Sequence, residues 1–99
     1  MDNKNFFIRL IPPRPSFSVD MNEEERKIMQ EHVNYWRELL DKDFAIVYGP
    51  VFDPAGGYGI GIVQAPMEEN VREIMDRDPT KSGLNFTFEI FEMRAVRKI

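Results

Sequence analysis

A chain of 99 residues suits one domain with one modest core, and its 42% hydrophobic and 30% charged residues exclude both disorder and a fibrous repeat. Thirteen basic against seventeen acidic side chains leave a net charge of −4, which argues against nucleic acid or an anionic membrane as partner, because neutralising phosphates takes an excess of Lys and Arg. With no cysteine and a single histidine, the sequence offers no disulfide framework, no thiol nucleophile and no Cys- or His-built metal centre.

Met1 to Asn5 are polar, without the basic start and apolar stretch of a secretory leader, so a cytoplasmic location is expected. Phe6 to Ile11 is aromatic and branched, with Arg9 as its only charge, and reads as a buried strand stopped by Pro12, Pro13 and Pro15. A loop continues through Phe17 and Val19 to Asn22, a helix start at which Glu25 completes a capping box. A helix is predicted from about Glu23 to Leu40. At 100° per residue its apolar arc holds Ile28, Met29, Val33, Tyr35, Trp36, Leu39 and Leu40, with His32 near the middle.

Ala45 to Tyr48 reads as a second strand ended by Gly49-Pro50. A third, from Gly57 to about Gln64, alternates Tyr58, Ile60 and Ile62 with Gly57, Gly59 and Gly61, leaving one face as bare backbone. Glycines there mark close approach of a ligand, a partner backbone or a bulky neighbour. Pro66 opens a second helix whose stripe of Met67, Val71, Ile74 and Met75 runs on to Asp78 in its last turn, where Asp78-Pro79 stops it. After a turn at Lys81-Ser82-Gly83, Phe86 to Ala95 forms a fourth strand, and the slip in its alternation at Phe91 predicts a bulge or bend. The order strand, helix, strand, strand, helix, strand defines an α+β, ferredoxin-like βαββαβ fold: a four-stranded antiparallel sheet with two helices on one face. Apolar residues on both parities of the outer strands call for a partner on the open face, a second copy of the chain.

The chemistry centres on His32 and Asp78, each on the inward stripe of a helix packed on the same sheet face. A carboxylate beside an imidazole holds one tautomer, raises the basicity of the ring and makes a general base near neutral pH. An RNA-recognition reading of Gly56 to Val63 fails, because the basic residue and the later stacking aromatics of that signature are replaced by Gly56, Ile60 and Val63. Arg14, fixed among prolines, and Arg9, on the open sheet face, are candidate anion contacts, although Arg9 has an alternative pairing with Glu89 or Glu92.

Taken together, His32 with Tyr35-Trp36, Gly49-Pro50, the glycine-rich third strand, and Asp78-Pro79 followed by Gly83-Leu84 resemble the YCII-related (YciI-like) proteins, from about Phe6 to Val96. The resemblance implies a single domain over residues 1–99, a dimeric α+β barrel formed sheet to sheet, and a His and Asp pair lining a cleft. Carried over by position, His32 and Asp78 are the catalytic pair, and Gly49 is the turn beside the cleft. Thr80 stands where the family usually has an aromatic residue, and the loop from Pro12 to Asp20 is longer than in short members; both departures bear on the shape of the pocket.

The expectation is a small enzyme with no cofactor and no metal, transferring a proton on a small organic acid or phenolic substrate as an isomerase or lyase. His32 would be the base, Asp78 its orienting partner, and Arg9, Arg14, Tyr48 and Gly49 the substrate contacts. The alternative is a non-catalytic dimeric module that binds a small metabolite or accompanies a larger enzyme, since the sequence offers no nucleophile and no cofactor fingerprint.

Overall fold

A computed structural model describes residues 3–98 of the protein. Eight elements follow in order: β1 (Lys4–Ile11), α1 (Phe17–Asp20), α2 (Glu23–Asp41), β2 (Ala45–Val51), β3 (Tyr58–Ala65), α3 (Glu68–Asp76), α4 (Pro79–Leu84) and β4 (Thr87–Met93). The strands form one sheet in the order β2-β3-β1-β4, every neighbouring pair antiparallel, which is the ferredoxin-like arrangement. Among the described residues no helix is long and apolar enough to cross a membrane.

Period-two alternation sorts the strands into two faces. Phe6, Ile8 and Leu10 of β1 and Val63 and Ala65 of β3 are buried beneath the helices, where Trp36, Leu39, Val71, Met75 and Leu84 complete the core. On the other face Phe7 lies opposite Ile62 and Phe91, and Arg9 opposite Ile60 and Glu89, with no helix of the described residues above them. Helix α2 begins as the sequence dictates: the Asn22 side chain accepts from the Glu25 amide at 2.8 Å, and the Glu25 carboxylate accepts from the Asn22 amide at 2.9 Å.

Four expectations about the elements are corrected. The loop from Pro12 to Asp20 contains the single-turn helix α1, whose Phe17 is buried edge-on against Phe86 at 5.4 Å between ring centroids. Strand β2 runs through Gly49-Pro50 to Val51, because at the edge of a sheet a proline forfeits no necessary ladder bond. Strand β4 has no bulge at Phe91; its pairing with β1 is unbroken from Thr87 to Met93, and the irregular register lies between Ala45 and Val47. The second helix ends at Asp76, and the supposed turn at Lys81-Ser82-Gly83 is part of α4.

Candidate active site

The break between α3 and α4 decides what Asp78 does. It is not in the last turn of a helix but is the N-cap of α4, with Pro79 in the first turn and its Oδ1 accepting from the Thr80 amide at 2.9 Å. The carboxylate therefore faces the positive end of a helix, whereas a place in the last turn of α3 would have put it at a negative end. Asp78 is fully buried, and His32, Trp36 and Thr80 are its hydrogen-bond partners. Oδ1 also accepts from the Thr80 hydroxyl at 2.8 Å, and Oδ2 accepts from the Trp36 indole N–H at 2.7 Å.

Helix α2 supplies the other half. His32 and Trp36 are four residues apart, hence on one face of the helix, and His32 Nδ1 lies 2.9 Å from both Asp78 oxygens. A carboxylate with its lone pairs turned to Nδ1 makes that nitrogen the protonated one. Nε2 then carries the free lone pair. It has no hydrogen-bond partner among the described residues, and no buried side-chain nitrogen or oxygen there lacks one, so Nε2 is open to solvent. Burial alone pushes the Asp78 carboxyl up, but the hydrogen bond and charge of His32 and the two bonds from Thr80 outweigh it, and the net direction is down.

His32 opens into a cavity of about 540 Å³ between α1, α2 and the β2-β3 end of the sheet. Its walls are apolar and aromatic, among them Phe17, Met29, Trp36, Tyr48 and Phe52, and its sheet side includes Gly49, Gly57 and Gly59. The glycine face thus has two uses. At Gly61 the backbone lies against the Trp36 ring, where an added Cβ would stand 2.4 Å from Cη2; Gly57 and Gly59 present backbone to the cavity wall.

Of the residues singled out in the sequence, His32 and Asp78 are brought into contact, and Tyr48 and Gly49 line the same cavity as His32. Tyr48 lies against Trp36 at 5.7 Å between ring centroids. The two arginines are not brought there. Arg9 sits on the opposite sheet face, bound through Nε to Glu89 at 2.7 Å and lying over the Tyr58 ring. Arg14 grips Glu25 with both terminal nitrogens at 2.8 Å and Asp20 through Nε at 2.9 Å, which raises its proton affinity further and leaves no free edge for an anion. Neither arginine lines the cavity, nor does any other Arg or Lys among the described residues. Thr80 does not shape the pocket either; it is fully buried and serves Asp78.

Sequence reasoning missed the Trp36 and Thr80 bonds to Asp78. A buried indole N–H needs an acceptor, and Trp36 stands four residues after His32, so the signal was present. Asp-Pro-Thr likewise fits an N-cap followed by proline at the first helical position.

A ferredoxin-like α+β chain with a buried carboxylate holding one histidine at the mouth of an apolar cavity is the class of protein defined by fold and site. The model of the YCII-related domain matches residues 5–94, and the chain belongs to that family. No curated protein sequence is detectably similar to it. Among solved structures it is similar to the 5-chloro-2-hydroxyhydroquinone dehydrochlorinase TftG from Burkholderia phenoliruptrix, determined with 2,5-dihydroxybenzoquinone, at TM-score 0.62 and 21% identity over 90% of this chain and 93% of that one. It is also similar to SnoaB, a cofactor-independent oxygenase from Streptomyces nogalater, at TM-score 0.51 and 12% identity over 100% of this chain and 98% of that one.

Proposed function

We propose that the protein is an enzyme that needs no cofactor and moves a proton on a small phenolic or quinonoid substrate, by an isomerase or lyase type of reaction. One observation carries this reading: the single histidine has Nδ1 fixed by a buried carboxylate and Nε2 open to a lined cavity. In that arrangement Nε2 takes a proton from a ring hydroxyl or an acidic ring carbon, and Asp78 stabilises the imidazolium that forms. Returning the proton to a second atom of the substrate isomerises it; loss of a leaving group from the anion completes an elimination. Phenols are favoured over carboxylic acids, because the walls are aromatic and supply no cation. The fold shared with a dehydrochlorinase determined with a dihydroxybenzoquinone and with a cofactor-independent oxygenase supports small-molecule catalysis, by analogy of fold.

The reading includes self-association through the open sheet face and a cytoplasmic location. The test is a panel of hydroxybenzoquinones and chlorinated hydroquinones, scored first by the rise in Tm, since a ligand at 100 times its Kd adds about 2.7 kcal/mol to native stability, and then by turnover. His32→Ala is expected to keep the fold and lose turnover. A His32→Ala protein that fails to fold, or one that turns the substrate over undiminished, would overturn the assignment; ligand binding without turnover in the unaltered protein would support a binding module instead.

A further inference from the structure

Asp78 is the only fully buried carboxylate among the described residues, and three of the groups bonded to it are neutral donors that stay donors at any pH the fold survives: the Trp36 indole, the Thr80 amide and the Thr80 hydroxyl. They divide by oxygen. Thr80 holds Oδ1 with two bonds, whereas Oδ2 has Trp36 and His32 alone. Without the indole, Oδ2 would keep only the titratable partner. The indole in turn is admitted by Gly61, since any side chain there would occupy the ring's place, and it also meets Tyr48, the residue opposite Gly61 on the neighbouring strand. A strand glycine, a helix tryptophan, a buried aspartate and the open histidine thus form one continuous chain of contacts.

We infer that Trp36 is a positioning residue of the His32–Asp78 site, its indole N–H fixing the carboxylate orientation that leaves Nδ1–H bound and Nε2 free, with Gly61 as the residue that admits the ring. This deepens the proposed function, yet its test reads the pair itself rather than turnover, so the two can fail separately. The titratable groups facing Asp78 are His32 and Tyr35, both from α2; the burial of Tyr35, and then the charge of Asp78, raise the proton affinity of its hydroxyl, so it stays neutral through the range tested.

The chain has one histidine and one tryptophan, so each ring gives an unambiguous NMR signal. The experiment follows the Asp78 carboxyl carbon and the His32 Nδ1–H through a pH titration in the unaltered protein and in Trp36→Phe, with far-UV circular dichroism and Tm to establish folding. Loss of a donor to a charged acceptor is expected to raise the proton affinity of Asp78 in the variant roughly tenfold or more and to speed solvent exchange of the Nδ1 proton. A folded variant in which both signals behave as in the unaltered protein would show that Trp36 only packs, and would overturn the inference. Should Trp36→Phe not fold, β-(3-benzothienyl)alanine at position 36 keeps the ring's outline with sulfur in place of N–H, and the same two outcomes decide.

Discussion

Asp78 ties stability to acid in a direction fixed by its partners. Its folded carboxyl lies below its ordinary value, so the bonds it makes stabilise the native state above the unfolded pKa of roughly 3.9 and are lost as pH falls through the lower folded value. Asp78→Asn removes that dependence and introduces an amide that must aim its own N–H groups at a shell of donors. We expect it to cost about 2–4 kcal/mol at neutral pH and to flatten the acid limb of the stability curve, measured by urea unfolding at a series of pH values. An unchanged limb would mean that Asp78 does not titrate with folding. Gly61→Ala attacks the same network from below. Its methyl would meet the buried Trp36 ring at 2.4 Å, and a packed indole has no free end to swing aside. A loss of about 1–3 kcal/mol is expected, with a shift in the emission of the only tryptophan.

Helix α2 is the element on which the site is mounted, and its start is doubly fixed. The capping box sets its first turn, and Arg14 reaches from the preceding loop to Glu25 of that same box. The bonds from the Arg14 side chain and the Asn22 amide hold the Glu25 carboxyl at about 2, so this contribution is present above about 4.5 and disappears as pH falls towards 2. Replacing the cap, Asn22→Ala, should cost about 1 kcal/mol by urea unfolding and loosen α1, whose Asp20 shares Arg14. That helix was legible in the sequence because a capping box and a 3.6-residue stripe are local signals, and His32 could be aimed at the core from them alone. Asp78 meets His32 as the sequence predicts, but from a helix start rather than a helix end. The apolar stripe of α3 stays in phase across Arg77, so periodicity could not reveal that the chain leaves one helix after Asp76 and starts another at Pro79. Asp-Pro reads as a stop when only the stripe before it is considered, and in the structure it is a start. The arginines meet a different limit: alternation puts Arg9 on the open face, and only the register, Arg9 opposite Glu89, decides for the pairing within the chain that the sequence offered as its alternative role.

What the two layers leave unbalanced is the sheet's second face. Phe7, Ile60, Ile62, Phe91 and Met93 share it by register, with the Arg9–Glu89 pair among them, and no described element covers it. Phe91 is 56% exposed and Val47 47%, although both stand in the middle of strands rather than at loop tips. A helix-covered face and a bare apolar face on one small sheet leave a contiguous patch of the kind that marks an interface. A second copy is the occupant that needs no further assumption, because a two-fold axis through the sheet matches apolar strand to apolar strand and leaves the Arg9–Glu89 pairs internally neutral as water is expelled. Sedimentation equilibrium is expected to show a dimer at micromolar concentration. Phe91→Glu, at a position the single chain already leaves half open, should weaken association tenfold or more while the His32–Asp78 signals and the far-UV spectrum of the folded chain stay as they were. A stable monomer for the unaltered protein at that concentration would remove the dimer. The site need not fall with it, since His32, Trp36, Asp78 and Thr80 all come from one chain and lie on the other side of the sheet.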